Sequence, residues 1–354
     1  MKQLIECVPN FSEGRDSSVI EQIADAIRSV KGVKLLNVDP GKAANRTVMT
    51  FVGAPQAVVD AAFLGIQKAA ELIDMSQQTG EHPRIGATDV CPLIPISNIE
   101  MHEVVEYAHI LGARVANELN IPGYYYEFAA SCEERKNLAV VRQGEYEGLK
   151  TKLVDPHWKP DFGPAEFNTA IKTGATAISA RNFLIAYNIN LNTSSIPTAH
   201  AIACDVREKG RVKREGNQKG GAIIRDENGN ALWSPGTLKY LKAIGWYIEE
   251  YKLAQVSMNL TNMHETPIHC VFEEVSKKAI ARGVKVTGSE LIGLIPKSAL
   301  VKAGIYFLKK EEKSTSVPEN EIIEAAARAM GLDALMPFHP KERIIEYLLN
   351  EDFD

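Results

Sequence analysis

No two cysteines in this 354-residue chain are spaced Cys-x-x-Cys, and the five present (Cys7, Cys91, Cys132, Cys204 and Cys270) are odd in number and widely separated. That argues against a disulfide framework and predicts reduced thiols in a cytoplasmic protein. No apolar run approaches the roughly 18 residues needed to span a bilayer. The start, Met1 to Pro9, has no long apolar segment of the signal-peptide kind, so no membrane partner is expected. Positive charge is also short. Lys and Arg total 40 against 45 Asp and Glu, a net charge of −5, which is the wrong sign for a nucleic-acid binder. Neither Gly-x-x-x-x-Gly-Lys nor a Gly-x-Gly-x-x-Gly following a strand is present, so neither nucleotide-binding class is supported. Apolar residues, at 45%, are ample for a buried core, and the length allows two domains or one large one.

One stretch stands out, Gly80-Glu-His-Pro-Arg-Ile-Gly-Ala-Thr-Asp-Val-Cys-Pro-Leu-Ile-Pro-Ile96. Pro83 pushes His82 onto extended backbone. Glu81, Arg84 and Asp89 bring both signs of charge within a few residues of the imidazole. A histidine with a carboxylate at hand to orient it is the usual general base, although composition alone favours a surface-loop histidine without a role. Val90 to Ile96 reads as a strand, but Pro92 and Pro95 each remove a ladder donor and predict an edge or a short segment.

Along the chain, Gln3–Val8 reads as a first strand, and Asp16 and Ser17 cap a helix whose apolar positions run from Val19 to Val30. Strands follow at 33–38 and 46–52, then an amphipathic helix from Pro55 to about Ile73, then the His82 loop and its strand. This strand, helix, strand, strand, helix, strand order is the ferredoxin-like one. Glu103–Leu119 adds a helix, 133–146 a polar helical stretch and 155–172 a loop-like region. The order then repeats: strand 183–191, helix 196–209, a hairpin of 239–249 with 253–260, a helix from Pro267 to Ala281 and a strand at 284–286. The expected fold is therefore α/β (α+β) with two ferredoxin-like subdomains, 1–178 and 179–330, each a mixed sheet with packed helices. Terminal helices span 296–308 and 319–330, and a tail, 331–354, reads as a linker.

Metal ligation fails on spacing. In His102-Glu-Val-Val-Glu106 a glutamate stands where a second histidine is needed, and Pro267 interrupts the His264–His269–Cys270 cluster, so no metal is expected. Cys7 and Cys91 sit in apolar strands, where a thiol packs inertly. Arg207 to Lys219 is the most basic stretch, either a solvated loop or a capture site for a multiply anionic ligand.

The blocks Glu6-Cys-Val-Pro-Asn-Phe-Ser-Glu-Gly14, Asn45-Arg-Thr47, Glu81-His-Pro-Arg-Ile-Gly-Ala-Thr-Asp-Val-Cys-Pro92, Pro160-Asp-Phe-Gly-Pro164, Asn182-Phe-Leu-Ile-Ala-Tyr-Asn-Ile-Asn190 and Pro340-Lys-Glu-Arg-Ile-Ile-Glu-Tyr347 resemble the formiminotransferase family over nearly the whole chain. The resemblance implies two α/β subdomains with a folate tunnel between them, a homodimer, and His82 as catalytic base. Asp39 matches a position near that histidine and could hold the ring, though before Pro40-Gly41 it also reads as a turn residue. The folate-contact segment falls at Gly163, Pro164, Ala165, Glu166, Phe167, Asn168, Thr169, Ala170, Ile171 and Lys172; the chain departs from the family pattern over 166–173. The implied reaction moves a formimino group from N-formiminoglutamate to N5 of (poly)glutamylated tetrahydrofolate, a co-substrate, in histidine degradation. Arg46 and Arg84 are the candidates for the substrate carboxylates. Rival readings are formiminoglycine or a formyl compound as donor, or a folate-binding module without turnover.

Overall fold

The computed structural model describes residues 2–80, 82–217 and 220–349. The chain forms two compact units, 1–182 and 183–354.

The first unit runs β1 (Leu4–Cys7), β2 (Asn10–Phe11), α1 (Ser17–Arg28), β3 (Val33–Gly41), β4 (Arg46–Gly53), α2 (Pro55–Leu72), β5 (Thr88–Ser97), α3 (Met101–Leu119), β6 (Gly123–Glu127), α4 (Leu138–Val141), α5 (Glu145–Lys152), α6 (Phe167–Ala170) and β7 (Thr176–Ala180). Asp16 starts α1 by accepting from the Ser18 and Val19 amides, satisfying donors a helix start leaves open. β1 and β2 are two pieces of one line, broken at Val8-Pro9. Both pieces pair with β4 on one side and β5 on the other, while β3 pairs with β4. That is the ferredoxin-like sheet, and β7 and β6 extend it in parallel beyond β5. Ile5, Cys7, Phe11, Met49 and Phe51 pack with Ile23 and Ile27 of α1 and Val59, Phe63 and Ile66 of α2 in one buried cluster.

Here the proline-based expectation of an edge strand is corrected, since β5 lies inside the sheet. Pro92 falls opposite the β1–β2 break, where its carbonyl accepts from the Val8 amide at 3.2 Å. Pro95 lies beyond Leu93, the last residue paired with β7. Each proline is registered on one side only, Pro92 with Ser179 of β7 and Pro95 with Ile5 of β1, which leaves an unpaired side for the missing N–H.

The second unit contains β8 (Ile185–Leu191), α7 (Ile196–Val206), β9 (Arg211–Val212), β10 (Trp233–Ser234), β11 (Leu241–Ile248), β12 (Leu253–Leu260), α8 (Ile268–Ile280), β13 (Val286–Ile292), α9 (Lys297–Lys310), α10 (Glu319–Met330), α11 (Pro340–Arg343) and α12 (Ile345–Leu349). Its sheet order β11-β12-β8-β13 repeats the ferredoxin-like arrangement, with β9 and β10 as a small separate ribbon. Ser179 stands inside β7 rather than at the connection, because the chain leaves the first sheet only after Ala180. The tail is packed rather than a linker: Ile344 and Ile345 are buried, and the Ile295 amide donates to the Arg343 carbonyl at 2.9 Å.

Candidate functional site

The segment that carries His82 is fastened from several directions before any catalytic geometry arises. Asn45, at the start of β4, donates through Nδ2 to the Thr79 carbonyl at 2.8 Å, and Gln78 Nε2 donates to the Asn45 carbonyl at 3.1 Å. Ser12 Oγ donates to the Gly86 carbonyl at 2.7 Å. On the far side, Ala87 N donates to Thr173 O at 2.7 Å and Ala175 N to Ile85 O at 2.9 Å. Gly174 sits between these bonds at φ 64, where a Cβ would stand 2.2 Å from the Ile85 carbonyl; only glycine fits. Residues 173–175, which directly follow the 163–172 segment, are thereby sewn to the His82 loop.

Within the loop, His82 is half-buried, and its Nδ1 lies 2.9 Å from Arg46 Nη1 and 3.0 Å from the Pro83 carbonyl. Arg46 Nη1 also donates to that carbonyl at 2.6 Å, Nε donates to Asn10 Oδ1 at 2.7 Å, and Nη2 meets Asp89 Oδ2 at 2.5 Å. Asp89 is fully buried, accepts the Ile85 amide at 2.9 Å, and holds a second guanidinium, Arg142 Nη2, at 2.7 Å. Burial works to raise the Asp89 carboxyl, but Arg142 and Arg46 hold it below the ordinary carboxylate range. Burial together with Arg46 and Arg142 pushes the His82 imidazole down to about 3, so the ring is neutral at physiological pH.

Asp39 and Asn10 both lie opposite Val48, from β3 and β2, so their side chains share one face of the sheet with Arg46, two residues back along β4. Asp39, half-buried, therefore belongs to the same face as the arginine that holds His82. In the 163–172 segment, Phe167 packs against the core and tilts against Tyr146 at 6.1 Å, Ala170 is buried, and Glu166, Asn168, Thr169, Ile171 and Lys172 are exposed. Gly163 stands at φ 75, with Pro164 and Ala165 half-buried after it.

Arg84 behaves differently from the expectation that it would face a substrate carboxylate. Nε and Nη2 donate to Gln78 Oε1 and O at 2.8 and 3.2 Å. Nη1 reaches Glu145 at 3.3 Å and Glu147 at 3.0 Å, and Nη2 reaches Glu147 at 2.7 Å. The protein's own glutamates use its donors, which the sequence could not show because they lie some sixty residues on. A cavity of ≈ 480 Å³ opens beside it, lined by Thr79, Gly80, Arg84, Gly144, Glu145 and Glu147. Two glutamates against one committed arginine make that cavity unfit for an anion. Sequence reasoning passed over Arg142 altogether and noted Asp89 only as a nearby charge; a lone arginine in a polar stretch carries no local signal. Glu81 and Lys219 lie outside the described residues.

Other sequence candidates lie apart from this cluster. Cys7 and Cys91 pack with sulfurs 3.5 Å apart in the core, and burial, with Cys91 alongside, holds the Cys7 thiol well above its ordinary value. His269 stacks on Tyr306 at 4.5 Å while His264 is exposed, and no group of three His, Cys, Asp or Glu among the described residues is arranged to hold a metal. In the basic stretch, Arg207 donates to the Gly210 and Ala243 carbonyls, Arg211 pairs with Asp205 and Lys209 lies over the Trp233 ring at 4.3 Å, while Lys213 and Arg214 are exposed. No helix among the described residues is long and apolar enough to cross a membrane.

Residues 4–181 match the formiminotransferase domain, N-terminal subdomain, and residues 186–350 match the formiminotransferase domain. The chain belongs to the formiminotransferase family. It is 48% identical over 349 residues to the formimidoyltransferase-cyclodeaminase of Gallus gallus, covering 99% of this chain and 60% of that protein. It is 42% identical to the glutamate formimidoyltransferase of Thermoplasma acidophilum, covering 86% of this chain and 92% of the relative. The Streptococcus pyogenes glutamate formimidoyltransferase is 40% identical over 88% of this chain. The chain thus spans about 60% of the length of the formimidoyltransferase-cyclodeaminase relatives and nearly all of the shorter ones.

Proposed function

We propose that this formiminotransferase transfers the formimino group of N-formimino-L-glutamate to N5 of tetrahydrofolate, releasing 5-formimidoyltetrahydrofolate and L-glutamate, a step of histidine degradation. The observation that carries the reading is His82, a neutral imidazole held at Nδ1 between Arg46 and the Pro83 carbonyl. In the tautomer whose Nδ1–H donates to that carbonyl, Arg46 Nη1 donates to the carbonyl and not to the ring, and Nε2 presents a lone pair. N5 attacks the amidine carbon and its proton passes to Nε2; the tetrahedral adduct then collapses as the leaving glutamate nitrogen takes the proton back. One ring serves as base and then acid, which typically contributes about 10²- to 10⁴-fold.

Burial and the two guanidiniums, Arg46 and Arg142, depress the basicity of His82. An arriving anionic donor offsets their positive charge and raises the ring toward a useful value. Asp39, on the face of Arg46, would stabilise the imidazolium as it forms. Residues 163–172, which lead directly into the 173–175 stretch bonded to the His82 loop, are the proposed folate contact. The remaining acceleration comes from holding two bulky anions at reacting distance. The same reading includes a homodimer acting in the cytoplasm on (poly)glutamylated tetrahydrofolate.

A donor panel tests it: formiminoglutamate, formiminoglycine and 5-formyltetrahydrofolate, the first two each with tetrahydrofolate. Rapid transfer from formiminoglutamate alone is expected. Preference for formiminoglycine moves the assignment to that donor. Folate binding without any transfer reduces the chain to a binding module.

A further inference from the structure

A guanidinium carries five N–H donors, and a donor count separates the three arginines around His82. Arg84 has a protein partner for each of its five. Arg46 has three engaged, on Asn10, Pro83 and Asp89, and its Nη1 also lies against His82 Nδ1. Arg142 has one side-chain partner among the described residues, Asp89, and its Nε is buried without any acceptor. A buried, unpartnered donor on a charged group is costly unless water or a ligand completes it. The side chain is 14% exposed, so an anion can reach it. The ion pairs agree. Arg84 is outweighed by Glu145 and Glu147, whereas Arg46 and Arg142 both pair with the carboxylate of Asp89.

We propose that Arg142 is the residue that grips a carboxylate of the formimino donor, its unused donors closing on the anion while Asp89 holds the guanidinium in place. The assignment rests on the formimino-transfer reading above and deepens it. Arg142 takes the place expected for Arg84, and Arg46 remains the arginine that fixes His82. Because Asp89 fixes Arg46 and Arg142 together, one buried carboxylate sets the spacing between the donor's anchor and the catalytic ring.

The test pairs enzyme variants with donor variants. Wild type, Arg142→Gln and Arg142→Lys are assayed with formiminoglutamate and with its two monoamides, in which one carboxylate or the other is neutralised. Losing charge-assisted hydrogen bonds should raise the donor KM of Arg142→Gln by about 30-fold or more while the tetrahydrofolate KM stays within about 3-fold. Arg142→Lys should recover part of that loss. One monoamide should be a poor donor for wild type yet lose no further ground in Arg142→Gln, because the contact it lacks is already gone. Should Arg142→Gln prove unstable, the charge-retaining Arg142→Lys and the monoamide penalties in wild type carry the same comparison. If the variants discriminate carboxylate from amide as sharply as wild type, or if both KM values rise together, the Arg142 assignment is wrong while the transfer reading stands. If wild type transfers from no donor, the transfer reading itself falls.

Discussion

Arg46 Nη1 lies 2.9 Å from His82 Nδ1 and donates to the Pro83 carbonyl that Nδ1 also faces, so one nitrogen lies against both the ring and the peptide that orients it. His82→Asn keeps a polar group of similar reach but removes the proton acceptor. Its kcat should fall by at least about 100-fold, with tetrahydrofolate affinity changed only a few-fold. Single-turnover kinetics alongside folate fluorescence titration separates the two effects. Retention of most of the wild-type kcat would remove His82 from the mechanism.

Asp89→Asn should be the most damaging conservative change in this region. The carboxylate is fully buried and pairs with two guanidiniums, and breaking such a pair from one side leaves uncompensated charge in the interior. A loss of roughly 3–5 kcal/mol is expected, read as a lower urea midpoint with little change in slope. A variant as stable as wild type would mean that water already compensates both arginines.

Glu6 gives the pH dependence an unusual sign. Burial, opposed only by Arg181, raises its carboxyl from 4.5 to about 7, and the residue is 1% exposed. The folded state thus binds this proton more tightly than the unfolded state does. The group's contribution is at its most favourable below about pH 4.5 and is lost as pH rises through 7. Glu6→Gln should therefore unfold at higher temperature than wild type at pH 8, by up to about 3 kcal/mol, and the difference should vanish near pH 4. Thermal melts of both proteins across that range decide it.

Dialysis against a chelator should leave transfer activity unchanged, since the proposed proton transfers need only imidazole and bound substrate. Activity lost to the chelator and restored by zinc would reopen the His264–His269–Cys270 stretch.

How much of this was legible beforehand follows from how local each signal is. Both ferredoxin-like orders could be read because alternating strands and helical spacing repeat within short windows, and the His82 loop because its block is contiguous. The prolines of β5 misled because a strand's place in a sheet depends on where its neighbours break, which Pro92 and Pro95 cannot report. Ile344 and Ile345 anchor the tail through one pair of buried side chains, too short a run to show a period. Arg142, Glu145 and Glu147 reach the site from α4 and α5 across a fold-level distance, and only coordinates bring them to Asp89 and Arg84.

The backbone stitch at Gly174 has a consequence for how this protein can be altered. The His82 loop and residues 173–175, which directly follow the 163–172 segment, meet through Ala87–Thr173 and Ala175–Ile85 amide–carbonyl bonds, which use no side-chain atoms. The two parts behave like the jaws of a fixed caliper, whose gap is cut into the main chain. Under the proposed folate role, exchanging exposed side chains such as Glu166, Asn168 and Thr169 should retune what the jaws grip without opening them. A single methyl group added at Gly174 would spring the hinge, and a library that varies the segment should leave that one position alone.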